Sequence, residues 1–270
     1  MAEKINLIYF SPTGNTKRTV EAMAEAAGGE PGEMDLTVLG EARRRFGKDD
    51  FVIFGMPVYG GRIPAAAKQR LENIEGENTP CLVVVTYGNR DYDDALLELS
   101  DLVKARGFVV KGAAAAVGRH TYGEIQVTRP DETDFTQDKA FAAAAFAKPQ
   151  DAPEPTIPGA FPYRKGGQGG SFRPLTSSGC TKCGICVRGC PVHAIGADCS
   201  TISDACLSCF RCIRSCPVQA KNMDTKEYRE FADMFTKKLC GKRFVKGVLP
   251  FSNELRHKQY HIFIMLFDHN

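Results

Sequence analysis

The first half of the chain alternates short, nearly continuous apolar runs with longer stretches whose apolar residues recur at helical spacing. The apolar runs predict five strands, at residues 4–10, 35–39, 51–55, 81–88 and 108–118. Such strands, separated by amphipathic segments, are typical of a parallel sheet covered by helices on both faces. We therefore predict an α/β fold built on a doubly wound, parallel, five-stranded sheet.

Helices are predicted between these strands, at residues 16–27, 64–73, 93–106 and 134–148. In the first of them the apolar residues share one helical face. Open parallel sheets bind ligands at the carboxyl ends of their strands, where the strand order reverses. Three loops follow such strand ends, and they read SPTGNT (11–16), MPVYGGRIP (56–64) and TYGNRDY (86–92). We expect the ligand site of this half to lie among these loops.

The loop SPTGNT is rich in hydroxyl and amide side chains and precedes a helix. Backbone N–H groups at a helix N-terminus form an anion site, and these side chains would add donors to it. The loop contains neither the GK[ST] of a nucleotide-triphosphate loop nor a GxGxxG sequence. An ordinary turn in which Ser or Thr caps the helix is the alternative.

SPTGNT resembles the phosphate loop of flavodoxins, whose pattern is [ST]-x-T-G-N-T. The resemblance implies that the domain binds FMN, with the phosphate held by Ser11, Thr13, Asn15 and Thr16. It assigns the flavin contacts as a whole to Ser11, Thr13, Gly14, Asn15, Thr16, Pro57, Val58, Tyr59, Gly60, Tyr87, Gly88, Asn89, Arg90 and Tyr92.

Flat side chains are needed to stack on a flavin ring, and the chain contains no Trp. Tyr59 and Tyr92 are the candidates, with Tyr87 behind them, although each could equally be a half-buried loop tyrosine. In flavodoxins a Trp often fills the first position, so Tyr59 departs from that pattern. Arg62 and Arg90 lie in the two ring-contacting loops, where their charge would favour the reduced anion. His120, in GRHTYG, either approaches the flavin or is satisfied within its own loop.

The second half contains an internal repeat of cysteines. CTKCGICVRGCP and CLSCFRCIRSCP both have the spacing C-x2-C-x2-C-x3-C-P, and the offset is 26 residues at every position. Three closely spaced cysteines can surround one cluster, whereas the fourth, before a proline, points elsewhere. Paired CxxC zinc sites are the alternative, but zinc rarely uses three cysteines in a row followed by CP.

This repeat resembles the bacterial ferredoxins that hold two 4Fe–4S clusters. The resemblance implies a crossed ligand set, in which the fourth cysteine of each motif serves the other cluster. The upstream cluster would be held by Cys180, Cys183, Cys186 and Cys216, and the downstream cluster by Cys206, Cys209, Cys212 and Cys190. Cys81, Cys199 and Cys240 are expected to be bystanders.

The two halves are joined by a stretch dense in Pro and Gly, which predicts a linker or an extended strap. We expect a flavodoxin-like FMN-binding domain over 1–147, the linker over 148–175, and a small α+β two-cluster ferredoxin domain with a C-terminal extension over 176–270. Within the last of these, residues 226–239 predict an amphipathic helix that packs on the ferredoxin domain. The final thirty residues carry no chemistry that the sequence reveals.

Charge and apolar runs narrow the possible partners. Residues 1–147 carry 17 Lys and Arg against 22 Asp and Glu, a net −5, whereas residues 148–270 carry 18 against 10, a net +8. The basic half has no Arg-rich helix and no RNA-binding aromatic motif, so we expect no nucleic-acid binding.

The run HIFIMLF is too short to span a membrane, and the N-terminus does not resemble a signal peptide. A cytoplasmic protein is expected, where clustered cysteines more often hold metal than form disulfides.

These features predict an electron carrier that passes electrons between FMN, two 4Fe–4S clusters and external redox partner proteins. An FMN-dependent reductase acting on a small acceptor or NAD(P)H, with the clusters as its electron feed, is the main alternative. A redox sensor or a structural iron–sulfur protein is a third class. No nucleophile, acid–base pair or pyridine-nucleotide fingerprint is evident in the sequence.

Overall fold

The computed structural model describes residues 4–28, 30–38, 43–149 and 151–240, together with the backbone of 246–248. In chain order the elements are β1 (Lys4–Tyr9), α1 (Asn15–Glu25), β2 (Gly32–Asp35), β3 (Arg44–Phe46), β4 (Asp50–Pro57), α2 (Ala65–Leu71), β5 (Ile74–Gly76), β6 (Thr79–Tyr87), α3 (Ala95–Lys104), β7 (Phe108–Val117), α4 (Glu132–Phe146), β8 (Leu175–Thr176), α5 (Ile185–Arg188), α6 (Arg211–Arg214), β9 (Lys221–Asn222), α7 (Lys226–Leu239) and β10 (Lys246–Val248).

The main sheet has the order β10-β7-β6-β4-β1-β2. Its five parallel strands follow the flavodoxin-like order, in which the strand order reverses between β1 and β4. This confirms the predicted α/β class and its five parallel strands. The sixth strand is a correction: β10 pairs antiparallel with β7, Lys246 opposite Ala115. The remainder of the final thirty residues lies outside the described part of the chain.

Both faces of the sheet are covered, as expected for strands that are apolar throughout. One buried cluster includes Phe54, Val83 and Leu99, and the other includes Ile53, Val84 and Met23. The strand predicted at 35–39 lies at Gly32–Asp35 instead, with Asn6 opposite Gly32. β2 is an edge strand of polar sequence, so the apolar run that follows it misled the prediction; Leu36 is buried beyond the strand, and residue 39 is outside the described residues.

The cysteine repeat folds as a repeat. Left-handed backbone conformations recur at the 26-residue offset, with paired φ values of 54° and 51°, 74° and 63°, and 50° and 52°. The pairs are Lys182 and Ser208, Gly184 and Phe210, and His193 and Gln219. Each motif also has a short helix, α5 or α6, at the same place. The two motifs therefore share one local structure, which β8 and β9 join as an antiparallel pair.

The segment between the halves, residues 147–149 and 151–174, contains neither helix nor strand. It is nevertheless held closely against the rest of the molecule. The backbone N–H groups of Ala160 and Arg164 donate to the carboxylate of Asp94, at 2.9 and 2.8 Å. Gly167 N–H donates to the carbonyl of Tyr59 at 2.8 Å. The segment is an extended strap, one of the two forms that its composition predicts.

The helix predicted at 226–239 is confirmed as α7. Its apolar face does not pack on the cysteine repeat alone, as expected, but enters an aromatic cluster that we call the aromatic junction. The junction consists of His120, Tyr122, Phe172, Phe210, Tyr228, Phe231 and Phe235. Tyr122 lies at its centre, with ring centroids of its neighbours 5.6–6.3 Å away. The junction joins the sheet domain, the strap, the cysteine repeat and α7.

No helix among the described residues is both long and apolar enough to cross a membrane.

Candidate functional site

A cavity opens at the carboxyl ends of β1, β4, β6 and β7, where the strand order reverses. Nine of the residues predicted to contact flavin line it: Ser11, Thr13, Asn15, Thr16, Pro57, Val58, Tyr59, Tyr87 and Gly88. The loop after β7 supplies a further wall that the prediction largely missed, made of Gly118, Arg119, His120 and Thr121. Its signal was available in the sequence, because GRHTYG also follows the carboxyl end of a parallel strand.

The first turn of α1 borders this cavity, since Asn15 and Thr16 line it. Its N-cap is Gly14, in the left-handed conformation with φ 89°, and this residue has no side chain that could cap the helix. Ser11 Oγ nevertheless accepts the N–H of Lys17 in the first turn, so a serine at this end of the helix, which is the alternative interpretation of the loop, is present as well. Uncapped N–H groups at a helix N-terminus carry partial positive charge and favour an anion. The loop thus fits a phosphate group without any basic residue.

Hydroxyl groups in the loop are already oriented by the protein. Ser11 Oγ accepts a hydrogen bond from Lys17 N–H at 3.0 Å, so its own proton is free to be donated. The hydroxyls of Thr16 and Thr86 lie 2.6 Å apart, and Asn15 Nδ2 donates to the carbonyl of Arg119 at 2.9 Å. Asn15 therefore ties the loop to the wall after β7.

Tyr59 begins a two-residue hairpin at the edge of the cavity. Its N–H donates to Arg62 carbonyl at 2.8 Å, and Gly60 and Gly61 between them have φ values of 61° and 85°. Two successive positive φ values define a type I′ turn, which glycine adopts without strain. The turn holds Tyr59 half-buried over the cavity. Burial raises the pKa of Tyr59, and the nearby thiols Cys209 and Cys206 act in the same direction.

A second cavity, with a volume of about 280 Å³, adjoins the first and shares Val58, Tyr59, His120 and Thr121 with it. Gly60, which was predicted to contact flavin, lines this one. The strap and the cysteine repeat close its far side, through Tyr122, Gln168, Gly169, Gly170, Leu207 and Ser208. No sequence signal marks these wall residues, because they meet only in the tertiary structure.

The remaining predicted residues lie around these cavities rather than in them. Gly14 forms the turn of the phosphate loop. Asn89 Nδ2 donates to the carbonyl of Leu239 at 2.7 Å, which anchors the end of α7. Tyr92 is 7% exposed and packs edge-on against Tyr87, with ring centroids 5.7 Å apart. Tyr92 thus supports the cavity wall from behind.

Both arginines of the ring-contacting loops are committed to carboxylates. Arg62 donates from Nε and Nη2 to Glu98, with Nε 2.7 Å from Oε2, and its guanidinium lies 4.6 Å from the ring centroid of Tyr163. Arg90 pairs with Asp93. Each arginine is thus paired with a carboxylate rather than being an isolated charge in its loop.

His120 is held as a neutral ring. Its Nδ1 accepts a hydrogen bond from Tyr122 N–H at 2.8 Å, and its ring packs edge-on against Phe235. Burial lowers the pKa of His120 from 6.5 to about 4, the backbone of Tyr122 opposes this, and Arg90 and Arg214 add to the lowering. Gly88 makes room for the ring, because a Cβ there would lie 2.2 Å from His120 Cδ2.

We predict that the ring resonances of His120 stay constant from pH 8 to about pH 5 and change near pH 4, which NMR titration measures. The unfolded chain takes up this proton first, so stability present above pH 6.5 is lost as the pH falls towards 4. Urea denaturation at several pH values should show this loss, and His120→Gln should remove that component. A His120 ring that titrates near 6.5 would contradict the prediction.

Hydrogen bonds to sulfur repeat along the two cysteine motifs. In each motif the first cysteine sulfur accepts an N–H from two residues later at 3.4 Å, and the fourth accepts one from four residues later at 3.2 Å. The acceptors are Cys180, Cys206, Cys190 and Cys216, and the donors are Lys182, Ser208, Ala194 and Ala220. Such bonds stabilise thiolates and tune cluster potentials.

The four cysteines that were predicted to hold the downstream cluster lie close together. Cys190, Cys206, Cys209 and Cys212 line one cavity, together with apolar side chains that include Ile195, Phe210 and Met223. Cys190 therefore shares a cavity with the downstream triplet. Burial raises the pKa of Cys209 to about 11 and that of Cys212 to about 12, and neighbouring thiols contribute. Metal binding there would release protons.

The upstream triplet is more open. Cys183 is exposed, and Cys180 and Cys186 are half-buried. Burial raises the pKa of Cys186, and the nearby thiol of Cys199 raises it further. Cys199 is itself buried and lies outside the repeat. Within the described residues, no group of three or more His, Cys, Asp or Glu side chains could hold a metal ion as placed. A cubane keeps its thiolates further apart than one ion does, because each binds a different iron.

Comparison with known proteins supports the assignment of the first half. A family model described as a flavodoxin domain matches residues 6–91, which is less than half of the chain. The N-terminal domain is flavodoxin-like. A domain of this kind implies FMN as its ligand. No curated protein sequence matches the chain.

Several solved structures are similar to the flavodoxin-like domain. Flavodoxin 2 from Bacillus cereus is 19% identical, with 53% of this chain and 97% of that chain covered and a TM-score of 0.41. The flavodiiron core of Flv1 from Synechocystis sp. PCC6803 is 20% identical over 54% of this chain and 35% of that one, with a TM-score of 0.39. Rubredoxin oxygen:oxidoreductase from Desulfovibrio gigas is 17% identical. The similarity covers 54% of this chain and 37% of that one, and the TM-score is also 0.39. The chain therefore spans little more than a third of the two latter proteins.

Proposed function

We propose that this protein is an electron-transfer flavo-iron–sulfur protein, which passes electrons between FMN and two 4Fe–4S clusters and on to external redox partner proteins. FMN exchanges one or two electrons and each cluster exchanges one, and the protein supplies binding and tuning of potentials. The flavodoxin-like domain would hold FMN through the SPTGNT loop and the cavity lined by Tyr59. The two crossed sets of cysteines would hold the clusters.

One observation carries this proposal: the loop of the downstream cysteines forms a wall of the second cavity, which adjoins the cavity of the phosphate loop. Leu207 and Ser208, between Cys206 and Cys209, line the second cavity beside Tyr59. Electron transfer weakens steeply with distance, so redox centres that exchange electrons must lie close together. The downstream cluster would then be the one nearer to FMN, and the more open upstream site would face external partners.

The contact between the two halves is fixed by specific bonds. Arg211, in α6, donates to the carbonyl of Pro12 in the phosphate loop at 3.1 Å. Arg70, in α2, donates to the carbonyl of Pro191, which follows Cys190. These bonds connect both cysteine motifs to the flavodoxin-like domain. The clusters would therefore be held at set distances from the flavin.

The strap passes between the halves where only glycine fits. A Cβ on Gly169 would lie 2.3 Å from the Cα of Leu207, and one on Gly170 would lie 2.1 Å from the hydroxyl of Tyr122. A Cβ on Gly166 would lie 2.5 Å from the carbonyl oxygen of Gly60. The sequence GGQGG therefore allows close packing rather than flexibility, and it keeps the cysteine loop near the cavity.

Anaerobic reconstitution with FMN, iron and sulfide tests the proposal. We expect acid extraction to release FMN, and iron and sulfide analysis to give about eight of each per chain. After rapid reduction of the flavin, cluster bleaching should follow at a rate independent of protein concentration. Recovery of FAD, absence of clusters, or a rate proportional to concentration would contradict the proposal.

Gly169→Ala should slow this transfer, because the added methyl group must displace the backbone of Leu207. Overpacking of this kind costs about 1–3 kcal/mol, enough to loosen the contact between the halves. Gly47→Ala is the matched control, since its Cβ would meet nothing closer than 4.0 Å. Equal transfer rates in the two variants would mean that the strap does not set the distance.

A further inference from the structure

A buried lysine lies at the centre of the cysteine repeat. Lys221, in β9, is 3% exposed, and its Nζ donates to Thr176 Oγ1 at 2.7 Å. Thr176 is its directly opposed residue on β8. Lys side chains are almost never fully buried unless they are paired with an opposite charge. Among the described residues no carboxylate forms an ion pair with Lys221, and the hydroxyl of Thr176, a neutral group, is the partner of its ammonium group there.

Lys221 reaches cysteines of both ligand sets. Its backbone N–H acts on the sulfur of Cys216, which belongs to the upstream set in the crossed assignment. Its ammonium group acts on Cys186, also upstream, and on Cys212, which is downstream. At both thiols burial is the largest cause of the raised pKa, and the charge of Lys221 lowers the pKa. Lys221 follows Ala220, whose N–H donates to Cys216 Sγ, and precedes by two residues Met223, which lines the cavity of the downstream cysteines.

We propose that Lys221 is the shared counter-ion of the two iron–sulfur clusters and raises the reduction potential of both. This inference rests on the proposed function, because the negative charge that pairs with Lys221 is that of the thiolate-bound clusters. A cluster gains one negative charge on reduction, and a buried cation beside it favours the reduced form. The low dielectric of the site strengthens this interaction and limits screening by salt.

Lys221 was not predicted to have a role from the sequence, because a lone lysine after CPVQA carries no recognisable pattern. Its position arises from the pairing of β8 with β9, which turns its side chain inward beneath Thr176. The hydroxyl of Thr176 also donates to the carbonyl of Cys199 at 3.1 Å. Thr176 therefore holds the ammonium group in place against the segment that joins the two motifs.

Potentiometric titration of the reconstituted full chain, followed by EPR of the reduced clusters, tests the inference. Lys221→Met keeps the length of the side chain and removes its charge. We expect the one-electron equilibrium constants of both clusters to shift about tenfold towards the oxidised form, which is about 59 mV lower in potential. Lys221→Arg should keep both potentials near those of the unchanged protein. Lys226→Met, which removes an exposed charge from α7, should change neither.

Two outcomes would overturn the inference: unchanged potentials in Lys221→Met, or a shift in one cluster only. Absence of clusters in the unchanged protein would instead overturn the proposed function, so the two failures are distinguishable by iron analysis. If Lys221→Met fails to retain clusters, Lys221→Gln and Lys221→Arg decide the question. If clusters assemble in Lys221→Arg but not in Lys221→Gln, the result supports a requirement for the cation. Equal cluster potentials in Lys221→Gln and Lys221→Arg would contradict it.

Discussion

Cys216→Ala should remove the upstream cluster and leave the downstream cluster intact, although Cys216 belongs to the downstream motif. The reason is the crossed arrangement: Cys190 lies in one cavity with Cys206, Cys209 and Cys212, so its twin Cys216 is left for the upstream triplet. Iron content should fall from about eight to about four atoms per chain. Iron and sulfide analysis with EPR measures this, and the EPR signal that remains should be that of the cluster nearer to the flavin.

Cys190→Ala is the reciprocal variant and should remove the downstream cluster. Cys240→Ala is the control, because Cys240 is exposed and its thiol donates to the carbonyl of Lys237, away from both cysteine motifs in the sequence. If Cys190→Ala and Cys216→Ala each damaged the cluster of their own motif, each motif would close on itself and the crossed assignment would be wrong.

Thr13→Asp should strongly weaken FMN binding. Thr13 lines the cavity beside the first turn of α1, where the FMN phosphate is predicted to lie. A carboxylate about 4 Å from one phosphate charge costs about 4 kcal/mol at an effective dielectric constant of about 20. Every 1.4 kcal/mol corresponds to about tenfold in affinity. We therefore expect the Kd for FMN to increase ~100-fold or more. Calorimetric titration of the flavin-free protein with FMN measures this.

Thr133→Asp controls for the added charge, since Thr133 is exposed on α4 away from the cavity. It should bind FMN as the unchanged protein does. Riboflavin, which lacks the phosphate, should bind equally to Thr13→Asp and to the unchanged protein. Unaltered FMN affinity in Thr13→Asp would mean that the phosphate lies elsewhere.

Elements governed by local patterns were predicted well from the sequence. The four strands of the sheet interior and α7 lie close to their predicted positions, because a buried strand or an amphipathic helix needs a characteristic spacing of apolar residues. The phosphate loop was recognisable for the same reason, since a strand, a glycine turn and a helix are contiguous in the chain. β2 was displaced because an edge strand requires no continuous apolar run.

The cysteine spacing determined the local geometry of both motifs. The 26-residue repeat is reproduced in the backbone conformations and in the N–H bonds to sulfur, which join residues only two or four positions apart. Interactions of such short range depend on nearby residue types and are the same wherever the motif lies. The sequence alone therefore predicted two equivalent motifs and the residue types that they present.

Only the tertiary structure decided how these parts meet. It brought Cys190 to the downstream triplet, pressed Gly169 against Leu207, and turned α7 into the aromatic junction rather than onto the repeat alone. It also buried Lys221 against Thr176 and paired Arg62 with Glu98. Each of these contacts joins residues that are distant in sequence or on different elements, and packing rather than spacing selects them. A periodic pattern reports which face of an element is buried, but not which partner covers it.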